Sequence, residues 1–144
     1  MSMDLFTFFM WAVILIFSVI ASIQDIKEQK VWNLVIFGGI FAVFLMNLLL
    51  NRENLLIVLL SAFVYGSFYF VVKLVSKGKF GNADIYFGIF QGICLPVKML
   101  PLCVLSEVII ALLILNKGLK KGAFPFIPFM AIGLIICNFL QLII

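Results

Sequence analysis

Long apolar runs recur along this chain with almost no charge inside them, at about 5–23, 31–50, 55–75, 84–97, 99–116 and 123–144. A helix needs roughly 20 residues to cross about 30 Å of hydrocarbon, so most of these runs have the length of a membrane span. The chain is 144 residues long, 66% apolar and 11% charged, with 17 Phe. A soluble domain of that size buries only about two-thirds of its potential surface and could not hide such a composition. The mean hydropathy of +1.33 agrees. Closed barrels also satisfy their backbone in lipid, but their strands alternate polar and apolar residues. A run such as VLLSAFVYGSFYFVV is apolar on both faces of any strand. The expected fold is therefore all-α, a polytopic six-transmembrane-helix bundle forming one domain over residues 1–144. The fourth run is short, with Pro96 and Pro101 bracketing Lys98; five spans result if it does not cross. Soluble enzyme, secreted scaffold and nucleic-acid-binding module are not expected on the same grounds.

Lysine and arginine in short loops favour the cytoplasmic side. The connections after the first, third and fifth runs carry Lys27 and Lys30, then Lys73, Lys77 and Lys79, then Lys117, Lys120 and Lys121, which is eight of the ten basic residues. The other face has Arg52, beside Glu53, and Lys98. Both termini are expected outside, with the lysine-bearing loops in the cytoplasm. The first run begins MSMDLF, with no basic residue ahead of it, unlike a secretory signal; it reads as a retained first helix. The net charge of +4 then reports topology and contact with lipid, and no nucleic-acid partner is implied.

Cys94, Cys103 and Cys137 fall in or beside apolar runs without C-x-x-C spacing, and the chain has no histidine. The usual His/Cys zinc sets are thus not expected, nor is any cofactor. A His-dependent serine or cysteine protease is excluded as well. The cysteines read as small core side chains.

Only six carboxylates exist. Asp4 reads as a solvated terminal group, Glu53 as a partner of Arg52, and Glu28 as a charge balance for Lys27 and Lys30. Asp25 falls at the end of helix one, where the helix dipole disfavours an anion, so something else must justify it. Asp84 follows Asn82, a plausible N-cap, and sits in a first turn, where the dipole favours an anion. The topology puts both aspartates at one membrane depth. Two carboxyl groups close enough to share a proton cannot both ionise, which yields the acid and base of an aspartic protease without a metal. Glu107, inside the fifth run, is a rival, because an ionisable group in lipid is functional by default. Its simpler reading is a structural hydrogen bond or salt bridge to Gln91 or Lys98, on the other side of the membrane from the aspartates.

The residues around these aspartates resemble the type IV prepilin peptidase family of intramembrane aspartic proteases. Asp25-Ile26-Lys27 is followed by Val31-Trp32-Asn33, with Trp32 where the family usually has Pro. Gly81-Asn82-Ala83-Asp84 resembles the family's Gly-x-Gly-Asp, with Ala83 in place of the second Gly. Pro125-Phe126-Ile127-Pro128-Phe129 resembles its entry into the last helix, and Met130-Ala131-Ile132-Gly133 continues the likeness. The resemblance implies an aspartic endopeptidase of the bacterial inner membrane, with Asp25 and Asp84 catalytic. It places Gly81, Asn82, Ala83, Lys27, Asn33 and Pro128 in motif or supporting positions. Its partner would be a prepilin or pseudopilin helix of a type IV pilus or protein-secretion system. The leader would be cut off after a glycine at the cytoplasmic face. The short loop after Asp25 lacks the cysteine-bearing insertion of larger members, so this resembles a minimal, peptidase-only form without methyltransferase activity.

Among roles outside the motifs, Asn33 is expected to cap helix two or to orient the loop after Asp25. Pro125 and Pro128 suit the first turn of the last helix. Gly88 and Gly92 form a small-x-x-x-small packing pair. If Ala83 lies in a helix, alanine costs nothing there; if the position needs positive φ, alanine is strained. The other functions compatible with the sequence are a non-catalytic scaffold of the same fold and a small transporter using Glu107.

Overall fold

A computed structural model of the chain describes residues 4–28, 30–77, 81–115 and 126–143, and all regular structure within them is helical. The helices are α1 (Leu5–Glu28), α2 (Asn33–Leu50), α3 (Leu55–Val75), α4 (Asn82–Cys94), α5 (Leu100–Leu115) and α6 (Ile127–Ile143). Short 3-10 turns, Arg52–Asn54 and Val97–Met99, lead into α3 and α5. Lys79, Lys117, Lys120, Lys121 and Pro125 lie outside the described residues.

Among the described residues, four segments are long and apolar enough to cross a membrane: Leu5–Glu28, Asn33–Leu50, Arg52–Val75 and Val97–Ile114. The last helix, Ile127–Ile143, is apolar but shorter. The chain is thus a multi-span, all-α membrane bundle. Many Leu, Ile, Val and Phe side chains are exposed, among them Leu34, Phe41, Leu49, Leu56 and Phe63, a surface suited to lipid rather than water.

The fourth helix departs from the expected 84–97. It starts two residues earlier and ends at Cys94, giving 13 residues and about 20 Å of length at 1.5 Å per residue. Pro96 stops it, and the carbonyls this frees are capped from α3. The Ser61 hydroxyl donates to the Leu95 carbonyl at 2.6 Å, and the Tyr65 hydroxyl donates to that of Pro96 at 3.2 Å. Carbonyls left bare in hydrocarbon would cost several kcal/mol each. The short helix is central: it packs on α2, α3 and α6, and Phe87, Gly88, Phe90, Gln91, Gly92 and Ile93 are buried. Gly92 lets α3 approach so closely that a Cβ there would sit 2.6 Å from the Ala62 Cα and 2.7 Å from the Ser61 carbonyl oxygen. This is the packing role expected of the Gly88/Gly92 pair.

One end of the bundle gathers the C-terminal ends of α1 and α3 with the N-terminal ends of α2, α4 and α6. The Trp32 N–H donates to the Gln24 side-chain oxygen at 3.1 Å, and Lys73 donates to the Asn82 side chain. The rings of Phe37 and Tyr86 meet with centroids 5.0 Å apart. At the opposite end a cavity of about 300 Å³ is lined by residues such as Phe6, Asn47, Asn51, Ser61, Cys94 and Gln141.

Asp4 does more than the solvated role expected of it. Its carboxylate accepts the Thr7 N–H at 3.0 Å and its carbonyl accepts that of Phe8 at 3.1 Å, capping α1. The Thr7 side chain and backbone hold the Asp4 carboxyl below its usual range. The expected ion pair of Arg52 with Glu53 does not form; both side chains are exposed, where such a pair contributes little.

Candidate active site

Asp25 lies in the last turn of α1 and is 8% exposed. Its own helix offers an unfavourable dipole at that position. The compensation comes from 102 residues away, where the Ile127 N–H at the start of α6 donates to Asp25 Oδ2 at 3.1 Å. The first N–H groups of a helix have no intrahelical partner, and Pro128, in the first turn, carries no N–H of its own. A carboxylate therefore sits at the α6 N-terminus, where dipole and free donor both favour it. The turn that holds Pro128 therefore lies beside Asp25.

Asp84 is the third residue of α4 and is 7% exposed. Its Oδ2 accepts the Gly81 N–H at 2.8 Å, the carboxylate half of a capping box. Gly81 has no side chain to return the second half. Each aspartate is thus anchored through one oxygen to a backbone N–H at a helix start. Among the described residues, the other oxygen of each makes no hydrogen bond. The two carboxyl groups are within electrostatic reach of each other.

The supporting residues divide. Gly81, not Asn82, is the N-cap of α4. Asn82 is the first helical residue, and its side chain is held by Lys73 from the end of α3. Ala83 is the second helical residue, and Lys77 is the only non-glycine with positive φ among the described residues. The alanine is therefore unstrained. Asn33 does not cap α2: the N-cap position belongs to Trp32, no side chain caps it, and Asn33 is exposed as the first helical residue. Lys27 is exposed in the last turn of α1. Glu28, beside it, is exposed and forms no ion pair with Lys27 or Lys30.

Three contributors were not singled out from the sequence. Ile127 acts through its backbone, which leaves no mark in a side-chain pattern. Gln24 steadies the loop after Asp25 by accepting the Trp32 N–H. Lys73, seen earlier only as part of a basic rim, braces the start of α4 through Asn82; its position nine residues ahead of Asn82 was the available signal.

Glu107 is fully buried and takes the structural role expected of it, with Gln91 as a partner and Lys98 exposed elsewhere. The Gln91 amide nitrogen donates to its Oε1 at 2.7 Å and the Tyr69 hydroxyl to its Oε2 at 2.6 Å. The Cys103 thiol adds a third contact at 3.2 Å.

The fold is a multi-span helical bundle in which two buried carboxyl groups are each anchored at a helix start. The sequence model of the type IV leader peptidase family matches residues 12–116, a range that holds both aspartates, and the chain belongs to that family. It is an aspartic-type peptidase acting on prepilin-type substrates. No curated protein sequence and no solved structure matches the chain.

Proposed function

We propose that Asp25 and Asp84 are the catalytic pair of this peptidase and that the pair works at the cytoplasmic face of the inner membrane. The observation that carries the reading is the matched anchoring of two buried carboxylates, each tied through Oδ2 to a backbone N–H. That leaves one oxygen apiece to share a proton and a water. In this arrangement the ionised partner takes a proton from water as the water oxygen attacks the scissile carbonyl carbon. The protonated partner gives its proton to the carbonyl oxygen. The tetrahedral diol then collapses, the C–N bond breaks, and the amine leaves with a proton returned by the pair. Gly81 and Ile127 fix the two carboxylates by their N–H groups. Pro128 shapes the α6 turn, and Lys73 through Asn82 holds the start of α4. Ala83 supplies an unstrained helical position between them, while Lys27 and Asn33 flank the loop below Asp25.

The lysine distribution supports both termini outside, six crossings and a single transmembrane peptidase domain over 1–144. The short α4 would then cross as the shielded centre of the bundle rather than against lipid. The substrate enters with its leader at the cytoplasmic rim and its apolar helix in the bilayer. Reconstituted protein incubated with a prepilin-like substrate tests this. The expected product has a single new N-terminus at the leader boundary and appears only when the leader end is on the side of Lys27 and Lys77. Cleavage from the opposite side contradicts the orientation, and cleavage unaffected by Asp84→Asn contradicts the assignment of the pair.

A further inference from the structure

Below the paired aspartates, a second polar cluster joins four helices in the middle of the bundle. Glu107 on α5 receives Tyr69 from α3 and Gln91 from α4. The same Gln91 nitrogen also donates to the Met130 carbonyl on α6 at 2.8 Å. Gln91 lies seven residues after Asp84, two helical turns along the same face. Met130 lies three residues after Ile127, the donor to Asp25. The cluster thus ties together the two helices whose N-terminal turns hold the two carboxylates.

The packing around it is specific. Gly133 on α6 faces Glu107 so closely that a Cβ would lie 2.6 Å from its Cγ. Tyr69 lies over Gly88, where a Cβ would strike the ring. The Gln91 amide oxygen is buried without a hydrogen bond while its nitrogen makes two. An unsatisfied acceptor costs stability, and a buried carboxyl without a counter-ion costs more. Apolar side chains would hold four helices together more cheaply, which points to a requirement for geometry rather than for adhesion.

We propose that Glu107 and Gln91 are positioning residues for the peptidase reaction, setting the register of α4 against α6 and through it the spacing of Asp84 and Asp25. The inference rests on the catalytic reading of that pair. Neither residue touches substrate. Each acts through its helix.

Glu107→Met and Gln91→Met keep length and remove the directional bonds, while Glu107→Gln keeps an acceptor for Gln91 and lets the Tyr69 hydroxyl reverse its role. Steady-state cleavage and thermal unfolding are measured in the same detergent for all three. The expected result is a fall in kcat of about 10–100-fold for each Met variant, the scale of a small misplacement at the reacting centre. KM stays within about twofold, since no substrate contact is lost; the unfolding temperature falls modestly, since each single Met leaves its former partners unpaired, and cleavage is compared at a temperature where every variant is folded. The double Met variant loses no more than either single one, because both break the same link. Glu107→Gln recovers most of kcat. Unchanged kcat in the Met variants, or loss only in proportion to unfolding, overturns the inference. So does a Glu107→Gln variant as impaired as Glu107→Met, which assigns the role to the charge. If Asp25→Asn and Asp84→Asn abolish cleavage while the Met variants do not, only the positioning inference fails; if the Asn variants cleave normally, the catalytic reading beneath it fails.

Discussion

Two departures from the family pattern become intelligible residue by residue. Ala83, where the resemblance has glycine, lies in the first turn of α4 without positive φ, so it demands nothing that only glycine provides. Ala83→Gly should leave cleavage within about twofold and lower stability by up to about 1 kcal/mol, the helix cost of glycine relative to alanine, read from thermal unfolding. Trp32, where the resemblance has proline, has φ −64°, an angle proline adopts freely, yet its N–H is used on Gln24. Trp32→Pro loses that bond, worth about 1 kcal/mol, and regains about 0.4–1 kcal/mol through a stiffer unfolded chain. Near-neutral stability with retained cleavage is expected in the same assay. With six carboxylates in the chain each could be weighed singly, and the two singled out, Asp25 and Asp84, are both buried. The reason Asp25 tolerates a helix C-terminus was not legible, since its partner is the main chain of Ile127, which looks the same under any side chain. The same limit explains Asn33 and Asn82, whose residue type suits capping although the chain starts each helix one residue earlier.

Helix boundaries show where hydropathy informs and where it does not. The first three spans were readable as apolar runs, and the observed α1, α2 and α3 keep nearly those limits, α1 running on through Asp25 to Glu28. The fourth run blurred into the fifth because Leu95, Val97 and Met99 are as apolar as any span, while the break is made by Pro96 and by hydroxyls on another helix. Ser61 and Tyr65 gave no local hint that they serve carbonyls more than 30 residues away. The α3–α4 contact supplies a test at this scale. In Gly92→Ala the new methyl meets the Ala62 and Ser61 backbone, which cannot move aside as a side chain could. Overpacking of this kind costs about 1–3 kcal/mol. A lowered unfolding temperature and reduced cleavage are expected, whereas a wild-type melt would show that α3 and α4 can separate freely.

Taken whole, the molecule concentrates polarity along its centre and presents hydrocarbon outward. Its buried carboxyl groups, Asp25 and Asp84 at one end and Glu107 within, gather around α4, which carries Asp84 and the Gln91 that donates to Glu107. The orientation we propose rests on lysine placement, and its test is chemical. A cysteine introduced at Lys77 should react with an impermeant maleimide only from the cytoplasmic side, and one at Glu53 only from the outside, with the wild-type protein as background. Reversed labelling would invert the bundle. The most direct test of the account is a cycle of Asp25→Asn, Asp84→Asn and the double variant, with single-turnover cleavage measured in bilayers. Asparagine keeps an oxygen that can accept the Ile127 or Gly81 N–H, so helicity and unfolding temperature should stay near wild type. Two groups acting as one unit predict that each single variant loses at least about a thousandfold in rate and that the double variant loses little more. A single variant that cleaves at the wild-type rate, or losses that simply multiply, would contradict it.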